Sequence, residues 1–266
     1  MANTPGGFFS DVTPQNIITH PSATRNRALA DALAKLRVSE RQGVGVDRMV
    51  ADMVRLGRTA PEIYQIDGPY VRTVLLGGEV DVPWLKFLNS IKPSDVGGDL
   101  DSILALRCSV ERGWITSVEL APVLQKTVGE ADFVLRRLTH SETADGAVLR
   151  FVSGYPLEDP PVFTPGPGIR AALGERLASV FNVRGRERIA LEWARSRGRV
   201  SSPELADVAQ VAGNNASSIL KGLVTDGALK PSRASGMGRG LYYLLAGKDD
   251  DAEPDDVARK PSERAF

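Results

Sequence analysis

RGRERIALEWARSRGRVSSPELADVAQVAGNNASSILKGLVTDGALKPSRASGMGRGLYYLL, residues 184–245, is the stretch that decides the fold. It reads as helix, short extended link, helix, turn, helix and basic glycine-rich hairpin, the layout of a helix-turn-helix with a wing behind it. The first helix spans Arg186 to Arg197, and Gly198-Arg199-Val200-Ser201 leaves room for one extended turn. Ser202 as N-cap, Pro203 at the first helical position and Glu204 in the first turn start a second helix that runs to about Gln210. Gly213 breaks the chain, and Asn214 or Asn215 can cap a third helix that stops at Asp226-Gly227.

In that third helix Ala216, Ile219, Leu220, Leu223 and Val224 recur at the spacing of a buried stripe, which turns Asn214, Asn215, Ser217, Ser218 and Lys221 outward. The outward set carries no acid. Asn pairs bidentately with adenine, Ser with several base edges, and Lys with guanine or phosphate. Behind the helix, the strand candidates Ala228 to Ser232 and Leu241 to Leu245 flank a loop whose Arg233 and Arg239 suit phosphate or minor-groove contact. Small three-helix modules with a hairpin also serve as dimerisation or protein-docking units, and Asn and Ser at a helix start are common caps.

Bulk charge does not favour nucleic acid, since the 266 residues carry 33 basic and 33 acidic side chains. Its distribution does. From Arg170 to Tyr243 there are twelve Lys and Arg against six Asp and Glu. Much of the balancing acid lies in the tail, 248–266, where Asp249, Asp250, Asp251, Glu253, Asp255 and Asp256 read as a disordered acidic run. Hydrophobic content of 42% is enough for real cores. No apolar run approaches a membrane span, and the start lacks a secretory signal, so a cytoplasmic protein is expected. Cys108 lies in an apolar helical run and reads as a buried structural thiol, and two His with one Cys give no metal cluster.

A weaker copy of the same module lies at 83–154. Asp99 to Arg112 is an amphipathic helix, Gly113-Trp114-Ile115-Thr116 a link, and Ser117 the cap of a second helix. Gly129 to Thr139 is its third helix, and Asp145-Gly146 turns a hairpin between residues 141–143 and 148–152. Here the third helix opens with Glu130 and Asp132 and the hairpin carries Glu142 and Asp145, carboxylates that would repel phosphate, so packing or dimerisation is expected of this copy, the alternative being backbone contact through Arg136 and Arg137. Between the copies, residues 155–183 read as a Pro-rich linker and a connecting helix from Ile169 to about Asn182, with Arg170, Glu175 and Arg176 facing water.

Residues 1–82 are mixed α/β. A short helix is expected at Pro14 to Thr19, an amphipathic helix at Arg25 to Arg37 with Leu29, Leu33 and Leu36 on its apolar side, and another at Val46 to Leu56. Ile63 to Ile66 and Tyr70 to Leu76 read as strands with Asp67-Gly68 turning between them. Gly43-Val44-Gly45 ahead of a helix either places backbone N–H groups near a phosphate or is a plain turn.

The segments Pro5-Gly-Gly-Phe8, His20 to Leu33 (HPSATRNRALADAL) and Glu40 to Met49 (ERQGVGVDRM) resemble a prokaryotic family of transcriptional regulators. Its members are labelled GlpR-related repressors, or ATP-binding proteins similar to the C-terminal part of RecG-type helicases. The resemblance covers about residues 3 to 80. It implies a histidine-kinase-like ATPase module followed by winged helices, preceded in the family by a Schlafen-type, AlbA-like domain that this chain is expected to lack. The fold expected is therefore mixed α+β, an N-terminal partial ATPase-like α/β module followed by two winged helix-turn-helix domains, the second at 184–247. The resemblance leaves Gly6, Gly7, Arg25, Asn26, Gly43 and Gly45 as candidate nucleotide contacts, while no residue is suited to position a hydrolytic water. A non-enzymatic DNA-binding regulator follows as the leading expectation. It would act as a homodimer on double-stranded DNA without a cofactor. The alternatives are a nucleotide-responsive regulator that binds ATP and an adaptor for a Schlafen-type partner chain.

Overall fold

The computed structural model describes residues 1–38, 45–66, 68, 70–153, 161–233 and 240–247. The acidic tail, Gly43 and Arg239 lie outside the described residues. The N-terminal part holds β1 (Ala2–Pro5), α1 (Arg27–Lys35), α2 (Gly45–Arg55), β2 (Glu62–Ile66) and β3 (Tyr70–Val74). A middle part follows with α3 (Val82–Ser90), α4 (Leu100–Arg112), β4 (Ile115–Thr116), α5 (Ser117–Leu124), α6 (Val128–Thr139), β5 (Glu142–Thr143), β6 (Gly146–Ala147), β7 (Leu149–Phe151) and β8 (Val162–Pro165). Then come α7 (Pro167–Arg184), α8 (Arg186–Arg197), α9 (Ser202–Val208), α10 (Gly213–Thr225), β9 (Leu229–Pro231) and β10 (Tyr243–Leu245). The architecture is mixed α+β with short antiparallel sheets.

In the N-terminal part β1 joins the two expected strands in the order β1-β3-β2. All four residues of β1 are exposed, so no apolar alternation marked it in advance. The short helix expected at Pro14 to Thr19 is a run of turns instead. Asn16 explains this, because its side chain accepts from Thr13 N at 2.7 Å and donates to Asp11 O at 2.8 Å, competing with helical bonding. Gln125 then ties the turns to the middle part, accepting from Ile18 N and donating to Pro14 O, both at 2.9 Å. Helix α1 forms where expected, yet Leu29 and Leu36 are 55% and 71% exposed rather than packed. Helix α2 buries Val50 and Val54 against α3 and α4, with Trp84 Nε1 donating to Val54 O at 3.0 Å.

Helix starts follow local chemistry. In α5 and α9 the N-caps are Thr116 and Ser201, one residue before the expected Ser117 and Ser202. Glu119 and Glu204 decide this, since each reaches back from the third helical position to the cap's own N–H and completes a capping box. Helix α4 ends at Gly113, whose φ of +87° is the left-handed closure that glycine adopts without strain. Helix α3 was not anticipated, although Asp81 caps it and Pro83 opens it.

The larger departure is β8. Residues 155–160 of the expected linker lie outside the described residues, but Val162–Pro165 is a buried strand between β4 and β7. Phe163 pairs with both Ile115 and Phe151. The expected hairpin is consequently divided: β5 pairs with β6 around the turn, while β7 turns to β8. Proline density suggested a connection, yet the one proline inside the strand stands at its end.

Helix α7 departs from helical geometry at Leu173 (φ −127°, ψ 23°) and buries Ile169, Leu173, Leu177 and Phe181. Arg176, expected to face water, is only partly exposed: it pairs with Asp81 at 2.5 Å and lies over the Trp84 ring. Arg170 is half-buried and donates to Pro165 O. Burial also pushes the Cys108 thiol up to about 11, which fits a structural role. Among the described residues, no helix is long and apolar enough to cross a membrane.

One hydrophobic cluster runs from Val50 to Tyr243 and spans the junction of the two copies. There the Trp114 and Trp193 rings meet edge to face at 5.7 Å. Arg150 pairs through both terminal nitrogens with Asp207, and Thr164 Oγ1 donates to Gly113 O at 2.9 Å. A Cβ on Gly113 would stand 2.7 Å from Phe181 and 2.9 Å from Val208 O, at a φ that side chains resist. Gly113→Ala is therefore expected to lower folding stability by about 2 kcal/mol or more, through strain and overpacking together. Denaturant unfolding of wild type and variant measures it.

Candidate nucleic-acid interface

The third helix of the C-terminal copy starts without a side-chain cap. Ala212 is the N-cap of α10, so Asn214 and Asn215 are not used in capping, contrary to expectation, and both stand exposed in its first turn. Ala216, Leu220 and Leu223 are buried, with Ile219 and Val224 half-buried beside them. The outward residues Ser218 and Lys221 are exposed, whereas Ser217 is half-buried and donates to Ser202 Oγ at 3.1 Å. Ser218 Oγ donates to Asn214 O, an in-helix bond that leaves the side chain on the surface. Arg233 is exposed past the end of β9.

Beside this face lies a groove of about 430 Å³ between the start of α9, the flank of α10 and the strand leading into β10. Arg199, Ser202, Ser217, Lys221 and Tyr242 line it. Val200 and Tyr243 exchange backbone hydrogen bonds of 2.9 and 2.7 Å, which fixes the link against the wing. That bridge sends the neighbours Arg199 and Tyr242 to one side, with the guanidinium 5.2 Å from the ring centroid. Arg199 also lies 3.8 Å from Glu204, which is 1% exposed. Burial raises the Glu204 pKa, against the lowering effect of its Ser201 hydrogen bonds and of Arg199. Arg199 and Tyr242 were missed in the sequence, where Arg199 looked like spacer. The signal was the Tyr242-Tyr243 pair, since alternation on a strand puts one ring inward and the other outward.

From the first helix through the third, the two copies align residue for residue in sequence at one constant offset, which makes their differences legible. Thr116 and Glu119 correspond to Ser201 and Glu204, and Gly113 to Gly198, so the scaffold chemistry is kept. Trp114, buried between the copies, corresponds to Arg199 in the groove. On the third helix Glu130, Asp132, Phe133 and Arg136 stand where Asn215, Ser217, Ser218 and Lys221 do. Glu130 is held below the usual carboxylate range by hydrogen bonds from Thr127, whose cap it completes. Asp132 pairs with Arg136 at 2.6 Å.

The nucleotide candidates are only partly assembled. Arg25 Nη2 donates to Gly7 O at 2.9 Å, and its guanidinium lies near Gly6 and over the Phe9 ring. Asn26 caps α1 by accepting from Leu29 N at 3.0 Å. Gly45 opens α2 with open space around it. Among the described residues, no group of three or more His, Cys, Asp or Glu could hold a metal ion.

Residues 2–75 match the family described as "Putative ATP-dependent DNA helicase recG C-terminal". The N-terminal part is thus similar to an ATPase-like, RecG C-terminal-like domain. The crystal structure of the DIP2311 protein from Corynebacterium diphtheriae is 27% identical with a TM-score of 0.73, over 91% of this chain. That likeness takes in both copies as well as the N-terminal part, and the chain spans 43% of that protein's length. No curated protein matches the chain.

The raised pKa of Glu204 has a measurable sign. Its charge costs nothing below the ordinary carboxylate pKa, where the group is neutral in both states, and the cost grows as pH rises through the folded value. Glu204→Gln retains a side-chain acceptor for Ser201 N and removes that cost. The variant is expected to be more stable than wild type at neutral pH, with the difference shrinking on acidification. Denaturant midpoints at a series of pH values check this, and a pH-independent difference refutes it.

Proposed function

We propose that this chain is a DNA-binding regulator that grips duplex DNA through α10 and the groove beside it. The observation that carries the reading is the acid-free exposed surface of the first two turns of α10, continuous with a groove where Arg199 and Lys221 sit among hydroxyl groups. In the major groove, Asn214, Asn215 and Ser218 face base edges, where a good bidentate pair discriminates by about 1–3 kcal/mol. Lys221 and Arg199 take backbone phosphates on the flank. Arg233, with Arg239 further along the same loop in sequence, extends the contact from the wing.

Arg199 is suited to phosphate because it is already oriented. The Tyr242 ring and Glu204 hold its guanidinium, so less side-chain freedom is lost when an anion arrives. The local excess of basic residues draws the duplex in at long range, while the overall neutrality of the chain keeps that attraction confined to one region.

A second reading, a nucleotide-responsive regulator, is favoured by the family match over residues 2–75 and by the Arg25 contact with the Gly6-Gly7 turn. Equilibrium binding of labelled ATP with magnesium tests it, and no binding at millimolar nucleotide removes it.

For the DNA reading, Lys221→Ala and Arg199→Ala are each expected to weaken binding to all duplexes alike and to reduce the slope of log affinity against log salt by about 1. Asn215→Ala is expected instead to change which duplexes are preferred, with little change in salt slope. Fluorescence anisotropy across a salt series and a panel of sequences separates the two behaviours. Absence of duplex binding at low salt overturns the reading.

A further inference from the structure

The outer face of α6 occupies, in the middle copy, the position that α10 presents in the C-terminal one. Its chemistry has diverged in a particular way. Phe133 is 70% exposed at the centre of the face, where the corresponding Ser218 is polar. A lone exposed Phe needs no explanation. This one is flanked by Glu130 three residues before it and Arg136 three residues after it, both exposed. At 1.5 Å of rise per residue, each charge stands about 4.5 Å along the axis from the ring.

A face with acid on one side of an apolar centre and base on the other, at equal spacing, is complementary to itself when turned end for end. We propose that two copies of this chain associate through antiparallel α6 helices, about a twofold axis passing near Phe133. In that arrangement Arg136 of each copy meets Glu130 of the other, and the two Phe133 rings pack between the charge pairs. Arg136 can serve both partners, since its own helix engages it through Nε, which leaves the terminal nitrogens for a second carboxylate. Glu130 likewise uses one oxygen, Oε2, for its Thr127 cap and keeps the other.

The surface next to the ring fits such a partner. A hollow of about 350 Å³ borders Phe133, lined by Gly129 and Glu130 with Lys126 and Asp101 at its edge. Gly129 leaves open space on the helix surface where its counterpart, Asn214, carries a side chain. The approach of a second helix carrying an aromatic ring is unobstructed there. An unrelated partner would need apolar contact only. The symmetric placement of opposite charges is what selects a second copy of the same surface.

The inference does not depend on DNA binding and is tested without it. Sedimentation velocity of the full chain over a concentration series is expected to show a monomer–dimer equilibrium. Phe133→Ser and Arg136→Glu should each weaken the dimer about tenfold or more, and Glu130→Arg combined with Arg136→Glu should restore it. Because Glu130 also caps α6, thermal unfolding of the double variant is measured alongside. Phe133 is largely exposed, so Phe133→Ser alone decides the matter if the double variant does not fold. A wild type that stays monomeric at all concentrations overturns the proposal, and so does a dimer unchanged by Phe133→Ser. Lys221→Ala should leave the dimer intact, which separates this surface from the one proposed for DNA.

Discussion

Asp207 fastens the two copies together. Its carboxylate receives the paired terminal nitrogens of Arg150 from β7 and the backbone N–H of Ser153, while its carbonyl oxygen accepts from Gln210. Burial alone would raise its pKa, yet Arg150 and Ser153 hold it below the usual carboxylate range. Such charge-assisted, two-point contacts fix orientation as well as proximity. Beside them the Trp114–Trp193 contact and the close approach of Gly113 to Phe181 leave no room for sliding. Since α10 packs on α9, and α9 carries Asp207, the direction in which the α10 face points is set by the sheet of the other copy.

That arrangement accounts for which positions changed between the copies and which did not. The capping boxes at Thr116 and Ser201, the left-handed glycines 113 and 198 and the buried link residues Ile115 and Val200 are all retained. Each serves the backbone of its own module, and no partner could compensate for its loss. The exposed positions of the third helix answer to whatever approaches from outside, and there the outward residues differ in character, apart from the basic pair Arg136 and Lys221. Trp114 and Arg199 are the clearest case. One position faces the junction and is filled by a large apolar ring, while its counterpart faces a groove and carries a charge.

How much could be read in advance follows the range of the interaction concerned. Where an expected helix formed, its limits came within two or three residues because caps, breakers and stripe spacing act over four or five positions, and the Glu119 and Glu204 side chains account for the one-residue error at α5 and α9. The outward set on α10 was legible for the same reason, except Ser217, which is half-buried against Ser202 on another helix. Strand β8 was not, because nothing within Val162–Pro165 specifies pairing with Ile115, far earlier in the chain. The role of Arg176 was hidden likewise, since its partner Asp81 lies on another element. Arg199 was overlooked because a link residue gains meaning only once Tyr242 is brought beside it. The Gly6, Gly7 and Arg25 cluster was legible as a group, although Asn26 turned out to be committed to its helix.

The place of β8 in its sheet also bears on how the chain acquires its fold during synthesis. The outer strands β4 and β7 leave the ribosome before the strand that must lie between them. Until residue 165 has emerged, Ile115 and Leu149 lack their central partner, and the middle copy remains an open structure with apolar edges. The same nascent segment continues into α7, whose Phe181 closes over Gly113. Completion of the first copy therefore waits on the segment that leads directly into the second, residues 162–181.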